Sequence, residues 1–269
     1  MNLQEYAEKH GIASQDGEYP FFKFFRKENN ELASILEKAR YVPGQTYKEP
    51  EIDLDKKNVY GKGINVSTLK FIVGFVEENW GGKPLNFENT VLHYAFVPTD
   101  LSEKEYCIPN IEEIDEEIDE EKMIRVPKER GKIRVAKARI SKEELSWRIA
   151  FPHIKTPEAA YLFGRGFQEN LTEEELKVLA NLVYQDPKNS YFAGRDWGDD
   201  RFNPFAQILA NSVSQNQYGS YLAGLHWSDD RFNPFAQILA NSVSQNPEYS
   251  SYAGCEWSDD RKKFLKKTA

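Results

Sequence analysis

The chain has 269 residues, long enough for one large domain or two modest ones, and 40 % hydrophobic with 13 % aromatic residues argues for packed cores rather than disorder. A formal net charge of −8 counts against a general nucleic-acid binder, whose phosphate affinity comes from clustered Lys and Arg. No apolar run reaches the roughly 18–20 residues that span a bilayer, and Glu5 and Glu8 stand where a signal peptide would be basic and then apolar. Cys107 and Cys255 read as ordinary thiols of a reducing compartment, so a cytoplasmic location is expected. With His10, His93, His153 and His226 they form no C-x-x-C or H-x-x-x-H spacing, so neither a metal site nor a cofactor is expected.

In chain order, helices are predicted over Leu3 to Lys9 and Asn30 to Arg40. Val42 to Asn65, rich in Pro, Gly, Lys and Asp, reads as loop with short extended pieces. Ser67 or Thr68 opens an amphipathic helix from Leu69 to Trp80, closed by Gly81-Gly82. Thr90 to Val97 is a short apolar, β-branched and aromatic run that predicts a buried strand, ended by Pro98.

Asn110 then caps an acidic helix, Ile111 to Glu121, with isoleucines at 111, 114 and 118 on one face. Nine basic residues follow between Lys122 and Lys142, and Met123–Val126 with Lys132–Arg139 suggest a hairpin around Pro127 to Gly131. The opposed blocks could mimic or grip a nucleic acid. Mutual neutralisation of two solvated faces is the favoured reading, because exposed ion pairs contribute little net energy.

No phosphate-binding loop, dinucleotide fingerprint or nucleophile elbow occurs. An enzyme site around His93, Tyr94 and Cys107 is a rival reading that needs a Cys–His contact in space. A satisfied core histidine accounts for His93 more simply.

From about residue 141 the texture changes to a tandem repeat. Segments beginning at Tyr161, Tyr191, Tyr221 and Ser251 align without gaps at a spacing of 30. Gly164, Gly194, Gly224 and Gly254 share one column, and Phe167, Trp197, Trp227 and Trp257 another. Residues 199–216 recur unchanged as 229–246. Ser141 to Ala160 fits the same register, with Ala150 over Ala180 and Thr156-Pro157 over Asp186-Pro187.

Each unit reads as two helices. The first starts at a capping residue followed by proline (Thr156-Pro157, Asp186-Pro187, Asn246-Pro247) and runs to the Trp/Phe column. A loop containing Asp-Asp-Arg follows. The second helix is expected to open at Asn203-Pro204 and Asn233-Pro234, with Phe205, Ile208, Leu209 and Val213 as its apolar stripe. A mid-helix glycine costs about 1 kcal/mol relative to alanine, so its recurrence implies close approach of a neighbour. The tryptophans would be wedges between stacked units. The last unit replaces the apolar second helix by a basic tail, as an end cap would.

The pattern of an Asp/Asn-Pro start, a Ser-Tyr-x-x-Gly/Ala core and a Trp some residues later, from Ser141 to Arg261, resembles degenerate helical repeats of bacteriophage and giant-virus proteins. The resemblance implies a viral or mobile-element origin and an interaction role.

The expected architecture is an N-terminal α+β domain, 1–140, followed by an all-α, solenoid-like helical-repeat array, 141–269. The leading functional reading is a non-enzymatic module that binds a protein partner through the repeat surface. Its candidate residues are the loop ladder Asp199, Asp200, Arg201, Asp229, Asp230 and Arg231, and the polar second-helix positions Asn211, Gln215, Asn241 and Gln245. The ladder has a structural alternative, in which the aspartates cap the second helix and the arginine pairs with the next unit. Metal binding by the aspartates is not expected, because calcium needs six or more oxygens in a shaped loop.

Overall fold

The computed structural model describes residues 1–28, 31–35, 39–56, 61–79, 87–109, 131–167 and 169–265. The predicted acidic helix, the Gly81-Gly82 stop and Met123 to Val126 lie outside them. The chain divides into two compact units, Met1–His153 and Ile154–Ala269.

The first unit is organised by an eleven-residue strand, β1 (Glu18–Glu28). It pairs antiparallel along its length with β6 (Thr90–Pro98), from Glu18 opposite Pro98 to Arg26 opposite Thr90. Around this pair lie β2 (Glu31–Ser34), β3 (Arg40–Tyr41), β4 (Thr46–Lys48), β5 (Ile64–Ser67), β7 (Tyr106–Cys107), β8 (Lys132–Val135) and β9 (Lys137–Ile140). The sheet order among the described residues is β4-β9-β6-β1-β5-β8-β7, with β2 on the far end of β1 and β3 on β2.

The aromatic doublets of β1 serve both faces of the sheet, as period-2 alternation requires. Phe21 and Phe25 join Val91, Ala95, Val97, Ile133 and Val135 beneath helix α1 (Leu3–Lys9). Phe24 meets Phe75 of helix α2 (Leu69–Asn79), with ring centroids 5.0 Å apart. Helices at Leu3–Lys9 and from Leu69, and the buried strand from Thr90, therefore stand as predicted.

Three expectations do not. Glu31–Ser34 is strand rather than helix, with Ser34 opposite Phe25 and Leu32 buried; pairing to the free edge of β1 overrides local helix propensity. Lys132–Arg139 is not one continuous strand. It breaks at Ala136 into β8, paired with β5 and β7, and β9, paired with β4 and β6. Residues 141–153 belong to the first unit instead of opening the repeats: Leu145 N donates to Leu92 O (2.7 Å), and the Trp147 indole to Thr90 O (3.2 Å). Ala150 accordingly lies in a 3₁₀ helix, Trp147–His153, unlike its register partner Ala180.

The second unit is the helical array. Its first helices are α3 (Pro157–Gly166), α5 (Pro187–Asp196), α8 (Gln217–His226) and α11 (Pro247–Glu256). Thr156, Asp186, Asn216 and Asn246 cap them by accepting backbone N–H groups, as the sequence implies. The second helices are α4 (Glu173–Val183), α7 (Ala206–Val213) and α10 (Ala236–Ser244).

The connection differs from the expected loop. Asp199–Phe202 (α6) and Asp229–Phe232 (α9) are already one helical turn, followed by 3₁₀ turns at Asn203–Phe205 and Asn233–Phe235. Asn203 and Asn233 therefore cap nothing with their side chains; proline is tolerated because each opens a fresh turn where no N–H is needed. In the last unit a helix, α12 (Asp259–Leu265), covers the start of the basic tail.

Successive units are locked by a glycine and a tryptophan. Trp197, Trp227 and Trp257 are fully buried, and each ring lies flat on the glycine of the preceding first helix: Gly164, Gly194 and Gly224 respectively. A Cβ on any of these glycines would fall inside the indole. Each indole N–H also donates to a carbonyl of that same helix, Tyr161, Tyr191 or Tyr221, at 3.0 Å. Burying a tryptophan's roughly 150–250 Å² stabilises by about 4–6 kcal/mol at about 25 cal/mol per Å². That outweighs the roughly 1 kcal/mol helix cost of the glycine it rests on.

Gly254 occupies the same column but has open space where a Cβ would go. Gly194→Ala is therefore expected to destabilise the array by about 1–3 kcal/mol through overpacking, whereas Gly254→Ala should be neutral or stabilise by up to about 1 kcal/mol. Chemical denaturation of both variants checks this; equal effects would contradict the seam.

Candidate interaction surface of the helical array

The Asp-Asp-Arg ladder is built into the stacking. Arg201, Arg231 and Arg261 reach back to the preceding unit, not forward to the next. Each Nη1 donates to a seam glycine carbonyl, Gly164, Gly194 or Gly224, at 2.6, 2.8 and 2.7 Å. Each Nη2 donates to the carbonyl of the following aromatic, Phe167, Trp197 or Trp227, at 2.6, 2.7 and 2.8 Å. These carbonyls end the first helix and have no intrahelical partner, so a guanidinium there satisfies them and complements the negative end of the helix dipole.

Arg231 and Arg261 lie over Phe202 and Phe232, and their Nη2 atoms reach Asp199 and Asp229 of the unit before at 2.6 and 2.5 Å. Asp199 and Asp229 thus serve as partners of the next arginine, and neither makes a side-chain cap on its own helix. Both carboxylates remain about three-quarters exposed, and Asp200 and Asp230 face solvent.

Part of the Asn-Ser-x-Ser-Gln-Asn motif is also used within the array. Ser212 is buried, donating to Tyr184 O (2.8 Å) and accepting from Ser190 (2.9 Å); Asn216 and Asn246 are the caps already described. Asn211, Gln215, Asn241 and Gln245 are left on the surface. Asn211 and Asn241 accept from Gln207 and Gln237 one turn earlier, and Gln245 accepts from Gln217 at the start of its own unit.

A second surface was not among the sequence candidates. Along the first helices, aromatic residues of successive units meet in two groups, with Tyr161, Tyr191 and Tyr221 buried beneath them. The Tyr161 hydroxyl donates to Asp196 and that of Tyr221 to Glu256, both 35 residues on. Between them, Tyr191 faces His226, ring to ring at 6.4 Å. The face widens toward the end of the chain, where Tyr218 lies 5.5 Å from Tyr249, and Tyr221 stacks on Tyr249 at 6.1 Å and 18°. Tyr252 adds a ring 6.1 Å from Tyr221. Tyr218 and Tyr252 are 51 % and 44 % exposed, large values for aromatics outside a loop.

Carboxylates rim these rings. The Glu256 hydrogen bond, assisted by burial, pushes the Tyr221 hydroxyl up to about 12, and the Glu248 hydrogen bond raises Tyr252. At the other end, burial of Asp196 opposes its ionisation, but hydrogen bonds from Arg195 and Tyr161 more than compensate and hold it below the usual aspartate range.

In the first unit, His93 and Cys107 face opposite sides of the sheet. His93 packs edge-on against Phe25 with Nδ1 3.2 Å from Ser141 O, and burial lowers its pKa. Tyr106 occupies that face of β7, so the adjacent Cys107 points away, against the Arg134 guanidinium (3.1 Å). The pair is not brought together. Tyr94 lies between Phe22 and Phe96.

A cavity of about 40 Å³, bordered by Lys23, Ser34, Asn65, Ser67 and Lys132, has room for about three waters. Of the basic segment, Lys132 and Arg134 are buried and Arg139 pairs with Glu18 over the Phe96 ring, so these cations face their own domain. Among the described residues no three His, Cys, Asp or Glu side chains converge as a metal set, and no helix is long and apolar enough to cross a membrane.

No protein-family model, curated protein or solved structure matches this chain.

The ladder geometry predicts unequal effects within one ion pair. Arg231→Ala leaves two helix-end carbonyls without donors and is expected to cost about 2–3 kcal/mol. Asp199→Asn removes only a largely exposed partner and should cost less than about 1 kcal/mol. Urea unfolding of the two variants measures the difference, and a larger loss from Asp199→Asn would contradict the assignment.

Proposed function

We propose that this protein is a non-enzymatic interaction module whose helical array binds a protein partner. The exposed tyrosine face carries the reading. Tyr218 and Tyr252 remain open although neighbouring tryptophans and phenylalanines are buried, and tyrosine is among the residues enriched in protein interfaces. Solvent-facing Asn211, Gln215, Asn241 and Gln245 offer a second, repeated polar surface, with the free oxygens of Asp199, Asp200, Asp229 and Asp230 along the unit edges. A cytoplasmic setting, in a host cell if the repeats are of viral or mobile-element origin, accords with the exposed free thiol of Cys255.

Nucleic-acid binding is the second reading, since bases also stack on tyrosines. It is disfavoured at this face, because single-strand binders set their aromatics in a basic groove, whereas Glu248 and Glu256 hold these hydroxyls.

The repeat itself supplies the test. Removing residues 201–230 joins Asp200 to Arg231, which regenerates the Asp-Asp-Arg turn and places Trp257 in register with Gly194. The shortened chain should therefore unfold cooperatively like the parent. In affinity capture from the source cells it should lose, or hold at least about tenfold more weakly, a protein retained by the full chain. An unchanged set of captured proteins at unchanged affinity would make the array a spacer.

A further inference from the structure

The tyrosine face contains its own template for what it binds. In the second unit the Arg195 guanidinium lies 4.9 Å over Phe192 and 5.8 Å over Tyr191. It donates through Nε and Nη2 to the two oxygens of Asp196, at 2.7 and 2.9 Å, while that carboxylate also accepts from Tyr161 of the preceding unit. One guanidinium thus fills a seat made of aromatic rings and a carboxylate. One unit earlier Arg165 approaches the Tyr161 hydroxyl at 3.4 Å.

Sixty residues on, the same stations recur. Tyr221 stands for Tyr161, Tyr252 for Phe192 and Glu256 for Asp196. The ring spacing is kept, at 6.1 Å for Tyr221–Tyr252 against 5.7 Å for Tyr161–Phe192, and Tyr221 donates to Glu256 as Tyr161 does to Asp196. Two stations differ. Ser251 replaces Tyr191, with Tyr218 and Tyr249 extending the aromatic wall nearby, and the place of Arg195 is taken by Cys255, which is exposed. The final unit keeps one of the two rings beneath the guanidinium, as Tyr252, and the carboxylate, as Glu256, and has no arginine at the station of Arg195.

We propose that this seat receives an arginine side chain from a protein partner, its guanidinium lying on Tyr252 and paired with Glu256. This deepens, and rests on, the reading of the array as a protein-binding module. Arginine fits better than lysine because its planar fork both stacks on a ring and pairs with two carboxylate oxygens, as Arg195 does within the chain. The overall charge of −8 and the nearby Glu248 favour a basic segment over a phosphate-bearing one.

The test uses the full chain and a fluorescent Gly/Ser peptide carrying three arginines, with lysine and citrulline counterparts, read by anisotropy at low salt. The arginine peptide should bind, the lysine peptide more weakly, and the neutral citrulline peptide at least about tenfold more weakly. Cys255→Arg, which rebuilds the internal pair next to Glu256, should fill the seat in cis and weaken peptide binding at least about tenfold, as should Glu256→Gln. Tyr252→Ala provides an independent route to the same loss, and Cys255→Ser should bind like the parent.

Equal binding of arginine and citrulline peptides, or undiminished binding by Cys255→Arg, would overturn the proposal. So would tighter binding of oligo(dT) than of the arginine peptide, or self-association of the parent chain abolished by Cys255→Arg. Should the peptide preference fail while deletion of residues 201–230 still abolishes capture of a partner, the seat is refuted and the interaction reading stands.

Discussion

An indole can lie flat on a helix only where no Cβ intervenes, and this array meets that condition once per junction, at Gly164, Gly194 and Gly224. The ring excludes water from the junction, its N–H donates to a carbonyl of the same helix, and the next residues place an arginine on that helix's last carbonyls. Each junction therefore satisfies the polar end of a helix while burying its largest side chain. A helix pair alone would leave both the tryptophan and those carbonyls unpartnered, which is why the units exist as a stack. Gly254, in the same column, has no ring upon it.

The seam also divides the recurring residues by role. Glycine, tryptophan, arginine and Ser212 are consumed in holding one unit to the next, and the capping asparagines in starting each first helix. What remains outward is of two kinds: short polar positions on the second helices and the rings of Tyr218 and Tyr252 on the first. Exposed tyrosines contribute little to folding in that position, and their neighbours Glu248 and Glu256 spend their hydrogen bonds on the tyrosine hydroxyls rather than on the core. The proposed recognition uses the face that the seam does not.

The 30-residue frame, the caps at Thr156, Asp186 and Asn246, and the helix-pair architecture were legible because identity at a fixed spacing exposes equivalent positions. Contacts between units run at other spacings, from 28 to 37 residues. Alignment of equivalents therefore displayed Asp-Asp-Arg as a ladder without showing that the arginine reaches backward into the previous helix. The same offsets hid the tyrosine face, whose rings come from non-identical stations of adjacent units. In the first unit, β1 escaped notice because its doublets Phe21-Phe22 and Phe24-Phe25 flank a buried Lys23, which erases the alternation of a half-buried strand. Glu31 to Ser34 misled in the opposite sense, since the edge of β1 decides its conformation and local preference does not.

The central claim is that the three tryptophans are interior wedges whose indole N–H groups are bonded across the unit boundary. Hydrogen exchange at Nε1 of Trp197, Trp227 and Trp257, followed by NMR in the intact chain, tests it directly. Exchange slowed by roughly a thousandfold or more relative to a free indole is the expected result, because release requires opening of a junction. Exchange of these three indoles at the free rate in the folded protein would contradict the account.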